Sequence, residues 1–438
     1  MLLAPHRVDI RNWYRLLYRR EAPYAQTGYG KMTREIVSRL IERGMQVYSI
    51  GGIGGMTVWG GKMEYPTPRA KITVLPTIGD IGGSNVAEMY IHKYKLDLMV
   101  TLWDTFITEY TGNLSVPAVN YMPIDGHLTG RMAHYVRNAI RVVAYSKFGH
   151  RELLSRLPAS QVGYIPHGVD CSVYKPFSDE ARQKVRSMIL PKGHQDGFLF
   201  LNVGANMGER KQLPLLLIAF KRFLERNPKA DAYLFLFTNA DQPYPQGYDL
   251  PAFADELGIR QRLLWPSESP ILEPVSEHEM ARLMSAANVY VSPALGEGFG
   301  LPVIESESCG TPVIHSNSST APELVGGHGW LVEIDPEYLL VPAWIPTLQT
   351  YPVVKISSLV NCMEEAYNSP DLVKKYGEAA RRFAQGYDWP LVMPGWFKLF
   401  QDVEEEIEVF REVLKSRVQL RAPTPGTPGT PGTGTTTR

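Results

Sequence analysis

Short apolar runs punctuate this chain, and between most of them apolar side chains recur at helical spacing. In the first half the runs fall at residues 14–18, 46–50, 72–75, 98–102, 118–121, 142–145 and 162–165. Strands covered by helices on both faces need runs of this kind, because neither face meets water. Ile36, Val37, Leu40 and Ile41 share one helical face, and Gly44 suits the turn that ends that helix. A Gly-rich turn is expected at 27–30, and 51–69, rich in Gly and Pro, reads as a loop. The pattern loosens over 170–197, around Pro176, Pro191 and Gly193, and then restarts. The second series has runs at 198–203, 233–237, 263–265, 289–292, 313–314 and 330–332, with Leu213, Leu216, Leu217 and Phe220 on a helix face between the first two. Past Ile356 the chain turns helical, and Val403, Ile407, Phe410 and Leu414 form an apolar stripe in an acidic helix.

Strands alternating with helices predict an α/β chain of two parallel-sheet domains, residues 1–175 and 176–388, with ligands at the carboxyl ends of the strands. Residues 422–438 repeat Pro, Gly and Thr with nothing to bury and read as a disordered tail.

Composition narrows the field. The 438 residues are 44% apolar and carry 45 acidic and 45 basic side chains, so no global field argues for nucleic acid. The three cysteines, Cys171, Cys309 and Cys362, are far apart and suit a reducing compartment rather than a zinc site. Arg and Asp interrupt the first twenty residues, which excludes a signal peptide there, and no run approaches the ~20 residues of a membrane span. A cytoplasmic location is expected, with peripheral contact at the inner face of a membrane left open.

The chemistry concentrates in 289–310, where an apolar strand breaks at a Gly-rich turn and Gly300 and Pro302 mark a helix start. A helix N-terminus presents unpaired N–H groups and partial positive charge, so it receives phosphate or hydroxyl-rich ligands. Gly298 and Gly300 would let such a ligand approach the backbone, with Glu297 before the helix and Glu305 about a turn inside.

The run Gly296-Glu297-Gly298-Phe299-Gly300-Leu301-Pro302, with Glu305 beyond, resembles the Glu-x7-Glu signature of the retaining family 4 glycosyltransferases. Cys309-Gly310-Thr311-Pro312-Val313-Ile314 is similar to that family's following turn and strand. Tyr164-Ile165-Pro166-His167-Gly168-Val169-Asp170 resembles its segment before the interdomain linker, Val203-Gly204 with Arg210-Lys211 its phosphate loop, and residues 24–30 its first loop.

The resemblance implies a GT-B fold: two Rossmann-like domains facing a cleft, acceptor on the first and nucleotide-sugar donor on the second. A final helix, about 389–418, would cross back to the first domain. It implies that Arg210 and Lys211 neutralise the departing diphosphate, that Glu305 holds the ribose hydroxyls and that Glu297 faces the donor sugar. The amides of Phe299, Gly300 and Leu301 would meet sugar hydroxyls or phosphate, with Gly28, Gly30 and Gly204 bringing further backbone close. One departure stands out: many relatives carry Arg directly after the loop glycine, where this chain has Ala205.

On the acceptor side Asp104, Asp125 and His127 stand at expected strand ends, Asp104 as a polar contact near the reaction and the other two as acceptor or donor contacts. No Asp-x-Asp metal motif sits at a strand end, so no metal and no cofactor are expected beyond a UDP- or GDP-sugar substrate. The acceptor would be a glycan, a lipid-linked sugar or a small molecule. Two other readings remain: a nucleotide-sugar epimerase of similar fold, and a non-catalytic nucleotide-sugar-binding protein. A glycoside hydrolase fits less well, since its carboxylates must straddle a bond ~5–10 Å apart.

Overall fold

The computed structural model describes residues 15–51, 62–77, 83–241, 247–267, 270, 275–341 and 348–421. The first fourteen residues and the Pro/Gly/Thr tail expected to be disordered lie outside them, as does the Leu414 side chain.

Among the described residues the strands form two large sheets and a hairpin. The first sheet comprises β1 (Arg15–Arg20), β2 (Gln46–Gly51), β3 (Met63–Pro66), β4 (Lys71–Leu75), β5 (Leu98–Leu102), β6 (Ala118–Met122), β7 (Arg141–Ala144) and β8 (Val162–Tyr164). Its order is β3-β4-β2-β1-β5-β6-β7-β8, all parallel except the edge strand β3. The second comprises β9 (Phe198–Val203), β10 (Ala232–Phe237), β11 (Leu263–Leu264), β12 (Val289–Ser292), β13 (Val313–Ser316) and β14 (Trp330–Val332), all parallel in the order β11-β10-β9-β12-β13-β14. An antiparallel hairpin follows, β15 (Ile334–Leu340) with β16 (Tyr351–Val354).

Each parallel sheet reverses its strand order once, between β1 and β5 and between β9 and β12. At such a switch point the loops leaving the strands splay apart and open a crevice.

Four details depart from the pattern-based expectation. The turn expected at 27–30 is the first turn of the helix Gly28–Glu42, because the Thr27 hydroxyl caps it by accepting from the Gly30 amide at 3.0 Å. The loop expected over 51–69 contains β3, whose residues alternate between half-buried and exposed as an edge strand's do. The loosened 170–197 stretch holds the helix Asp179–Ile189, capped by Ser178. Its Arg186 is buried and donates to the carbonyls of Gln195 and Ala286, so polar anchoring adds to the packing of Val185 and Ile189 against the core. The hairpin β15–β16 was not anticipated, since its first strand is half-buried or exposed along its length.

One apolar cluster joins the halves, from Tyr18, Val100 and Tyr121 in the first sheet through Trp389, Trp396 and Phe400 to Leu199 and Tyr290 in the second sheet and Ile304 beside it. The helix Trp389–Asp402 lies against the first sheet, with the Trp396 ring edge-on to Tyr121 at 4.7 Å between centroids. Arg141 of β7 pairs with Glu406 at 2.6 Å, and Val403 and Ile407 of the expected stripe are fully buried. Gly168 is required here: a Cβ would lie 2.4 Å from the Trp389 ring. No described helix is long and apolar enough to cross a membrane.

Candidate active site

The two switch points bring loops from both halves together. From the second sheet come the 3-10 turn Glu209–Lys211 beyond β9 and the Gly-rich loop after β12, which ends at the helix Leu301–Ser308. Arg210 is anchored first through its backbone, its carbonyl accepting from the Leu295 amide at 2.9 Å. Its guanidinium then donates to the Gly296 carbonyl at 2.7 Å and to Glu297 Oε2 at 3.1 Å. Lys211 Nζ lies 2.5 Å from Glu297 Oε1. The Glu297 amide donates to Ser319 Oγ at 2.9 Å, so both ends of this residue are fixed.

The electrostatics follow from burial. Removal from water alone would raise the Glu297 pKa, but Lys211 and Arg210 prevail and hold it at about 2. Burial and the neighbouring Arg210 lower the Lys211 pKa despite Glu297, while the Arg210 guanidinium, held by Glu297 and Asp125, loses its proton less readily than usual. The two cations and Glu297 therefore stand beside a helix start. Gly300 takes φ +97°, a conformation side chains disfavour, and no side chain caps the helix; Pro302 has no N–H and the Val303 amide donates to the Gly300 carbonyl at 3.0 Å, so the Leu301 amide is the one of the first turn left for a ligand.

Depressing a carboxylate stabilises the fold above its unfolded pKa. The Glu297 contribution is complete above an unfolded value near 4.5 and is lost as pH falls through about 2. The melting-temperature gap between wild type and Glu297→Gln is expected to be constant above pH ~5 and to close toward pH ~2. A gap independent of pH would contradict the pairing.

Glu305, on the first turns of the same helix, is 6% exposed and takes Lys31 Nζ at 2.6 Å. Lys31 comes from the helix Gly28–Glu42 of the other half. It also donates to the Tyr174 hydroxyl at 2.8 Å, sits 4.3 Å from that ring's centroid and lies 3.5 Å from Glu277. Burial favours the neutral form of Lys31, but Glu305 outweighs it and keeps the ammonium protonated well above the ordinary range.

From the first sheet, Asp104 follows β5 and lies 3.4 Å from the Tyr29 hydroxyl. Asp125 follows β6, accepts from Tyr351 at 3.0 Å, and has its pKa raised by burial against the pull of Arg210. A Cβ on Gly28 would come 3.3 Å from the Leu301 side chain, so two helix N-termini approach one another across the crevice.

Most residues singled out in the sequence converge here, some for other reasons than expected. A Cβ on Gly298 would lie 2.7 Å from Pro123, so this glycine admits the opposite domain to the backbone. Gly30 is required by its own turn, where a Cβ would lie 2.2 Å from the Ala25 carbonyl oxygen. Phe299 turns inward, edge-on to His167 at 5.2 Å, while a Cβ on Gly204 would come 3.7 Å from the Lys211 stem. His127 does not join the cluster: it is exposed and turned to Glu152 at 3.2 Å, because Glu152 also accepts from the Leu128 amide and draws the loop outward.

Lys31, Tyr174, Tyr351 and the buried His167, stacked on Tyr145 at 4.0 Å, were not singled out. Lys31 had one legible signal, a cation in the first turn of a helix, where the dipole disfavours it unless an anion waits nearby. No described cluster of three or more His, Cys, Asp or Glu side chains could hold a metal ion.

Two facing Rossmann-like sheets with a crevice between them and a returning C-terminal helix define the GT-B fold, and solved structures share it. Sucrose-phosphate synthase from Thermosynechococcus elongatus superposes with a TM-score of 0.69 at 18% identity, covering 89% of this chain and 99% of that one. The Anabaena protein HepE in complex with UDP-glucose superposes with a TM-score of 0.60 at 15% identity, covering 93% of this chain and 100% of that one. Residues 197–340 match the model of the family Glycosyl transferases group 1. Among curated relatives, D-inositol 3-phosphate glycosyltransferase of Thermobifida fusca (strain YX) is 27% identical over 246 residues, 56% of this chain and 50% of the relative. Its counterpart in Thermomonospora curvata is 32% identical over 187 residues, 40% of this chain and 41% of the relative. The match spans about half the length of these relatives.

Proposed function

We propose that this protein transfers a sugar from a nucleotide-diphosphate sugar to a hydroxyl acceptor, with retention of the anomeric configuration. The observation that carries the reading is Arg210 and Lys211 gathered on Glu297 at the β9/β12 switch point, beside an uncapped helix start with Glu305 one turn in. A departing diphosphate needs that arrangement: fixed cations and a backbone amide in a partly dry crevice, where each charge-assisted bond is stronger than in water. Glu305 has two acceptor oxygens for ribose hydroxyls once Lys31 shares or yields it. Solved HepE complexes hold UDP and UDP-glucose, which favours a uridine donor as the first to test.

Leaving-group charge is met by Arg210 and Lys211, so the reaction proceeds without a divalent cation, and no residue stands as a nucleophile for a covalent intermediate. The leaving phosphate takes the acceptor proton on the face from which it departs. The acceptor binds to the first domain near Asp104 and Asp125. The protein works in the cytoplasm, where nucleotide sugars are made, or at the inner face of a membrane when the acceptor is lipid-linked.

Thermal-shift screening against UDP-, GDP-, ADP- and dTDP-sugars tests the donor claim. One base is expected to raise the melting temperature by several degrees at ligand concentrations about 100-fold above Kd. EDTA is expected to leave both the shift and turnover unchanged. No shift with any donor would overturn the reading, and loss of activity in EDTA restored by Mg²⁺ would overturn its metal-independent form.

A further inference from the structure

Tyr351 opens the second strand of the hairpin β15–β16, and it is 1% exposed although β15 is largely uncovered. Its hydroxyl lies 3.0 Å from Asp125 Oδ1 and 3.2 Å from Gln349 Oε1. One hydroxyl carries one proton, and the carboxylate is the stronger acceptor. The ring is seated between glycines of both domains. A Cβ on Gly126 would come 3.1 Å from Tyr351 Cε1, and one on Gly296 would come 2.9 Å from the same atom. Gly296 also lies against Asp125 itself, where a Cβ would stand 2.1 Å from the carbonyl oxygen. A hairpin added to the second domain thus reaches the loop after β6 of the first and grips the residue nearest the Gly-rich loop.

The charged and titratable groups around Asp125 are Arg210, Lys211, Asp104, Glu297 and Tyr351. Two of these are carboxylates that disfavour a third charge, so Asp125 needs donors held in place to stay ionised and oriented. Tyr351 engages Oδ1, and a carboxylate has a second oxygen able to accept from another hydroxyl. We propose that Tyr351 is a positioning residue that fixes the Asp125 carboxylate against a hydroxyl of a carbohydrate or polyol acceptor. The hairpin β15–β16 is then the part of the donor-binding domain that completes the acceptor side. This inference rests on the transfer reaction proposed above.

The test uses the full chain, the donor selected by the thermal-shift panel, and glucose, mannose, galactose, myo-inositol and glycerol as acceptors. Tyr351→Phe keeps the ring between Gly126 and Gly296 and removes only the hydroxyl. It is expected to raise the acceptor KM about tenfold and to leave the donor KM within twofold. Loss of the hydrogen bond raises the Asp125 pKa, so the acid limb of kcat/KM for the acceptor moves to higher pH. Asp125→Ala removes the acceptor of the same bond, and adding Tyr351→Phe to it is expected to cost nothing more. Acceptor kinetics unchanged by Tyr351→Phe, equal rises in both KM values, or additive losses in the double variant would overturn the inference while leaving the transfer reaction standing. A panel in which no nucleotide sugar binds or reacts would overturn the transfer reaction, and this inference with it.

Discussion

Replacing Arg210 and Lys211 together by Ala is expected to lower kcat at least about a thousandfold, since one preorganised charge-stabilising donor is commonly worth 10²–10³. The loss belongs in kcat because diphosphate charge develops as the glycosidic bond breaks, and an interaction that strengthens there accelerates the chemical step. The same substitution would strand Glu297, which is largely buried and ionised down to about pH 2 only because of these cations. An unpaired buried charge costs about 3–5 kcal/mol, so the melting temperature should also fall. Adding Glu297→Gln separates the effects: the triple variant is expected to recover most of the stability and none of the turnover. Calorimetry and initial rates on the three proteins measure both quantities. Turnover within tenfold of wild type in the double variant would remove the basic pair from the chemistry.

Glu305→Ala is expected to weaken nucleotide affinity by about 10- to 100-fold, the range for losing hydrogen bonds to a charged acceptor. Isothermal titration with UDP reads this directly. The variant also removes the partner of Lys31, whose ammonium would remain between Tyr174 and Glu277 at 2.8 and 3.5 Å. A drop in melting temperature is therefore expected beside the lost affinity, and Lys31→Met in the same chain should restore stability without restoring binding. UDP affinity unchanged in Glu305→Ala would mean that this carboxylate serves only as a bridge between the domains.

The bridge itself was beyond reach of the sequence. Strands such as β5, β9, β12 and β14 were legible because a strand covered on both faces must be apolar throughout, and the observed spans match those runs. β3 and β15 were not, because half-exposed strands carry mixed side chains and little pattern separates them from loops. The helix Asp179–Ile189 escaped for a related reason: few of its side chains are apolar, and Arg186 bonding to carbonyls shares the anchoring with Val185 and Ile189.

Within the site, the Gly-rich loop could be read because local chemistry dictates it: a strand ends, Gly300 turns and Pro302 opens a helix. Long-range pairings obey no such rule. Lys31 meets Glu305 across 274 residues and Tyr351 meets Asp125 across 226, and neither partner's neighbours in sequence announce the other. At Gly298 a neighbour from the other domain, Pro123, comes within 2.7 Å of where a Cβ would stand, which the local pattern does not reveal. Nothing in MPIDGH reveals that Glu152, 25 residues on, would pair with His127.

The account stands most directly on the stereochemistry of the product. The full chain, supplied with the donor its thermal shift selects and a panel of free sugars and polyols, should yield a glycoside whose newly linked anomeric centre, read by NMR coupling, shows the donor's own configuration. An inverted anomeric centre, or no transfer to any hydroxyl from a donor that demonstrably binds, would contradict it.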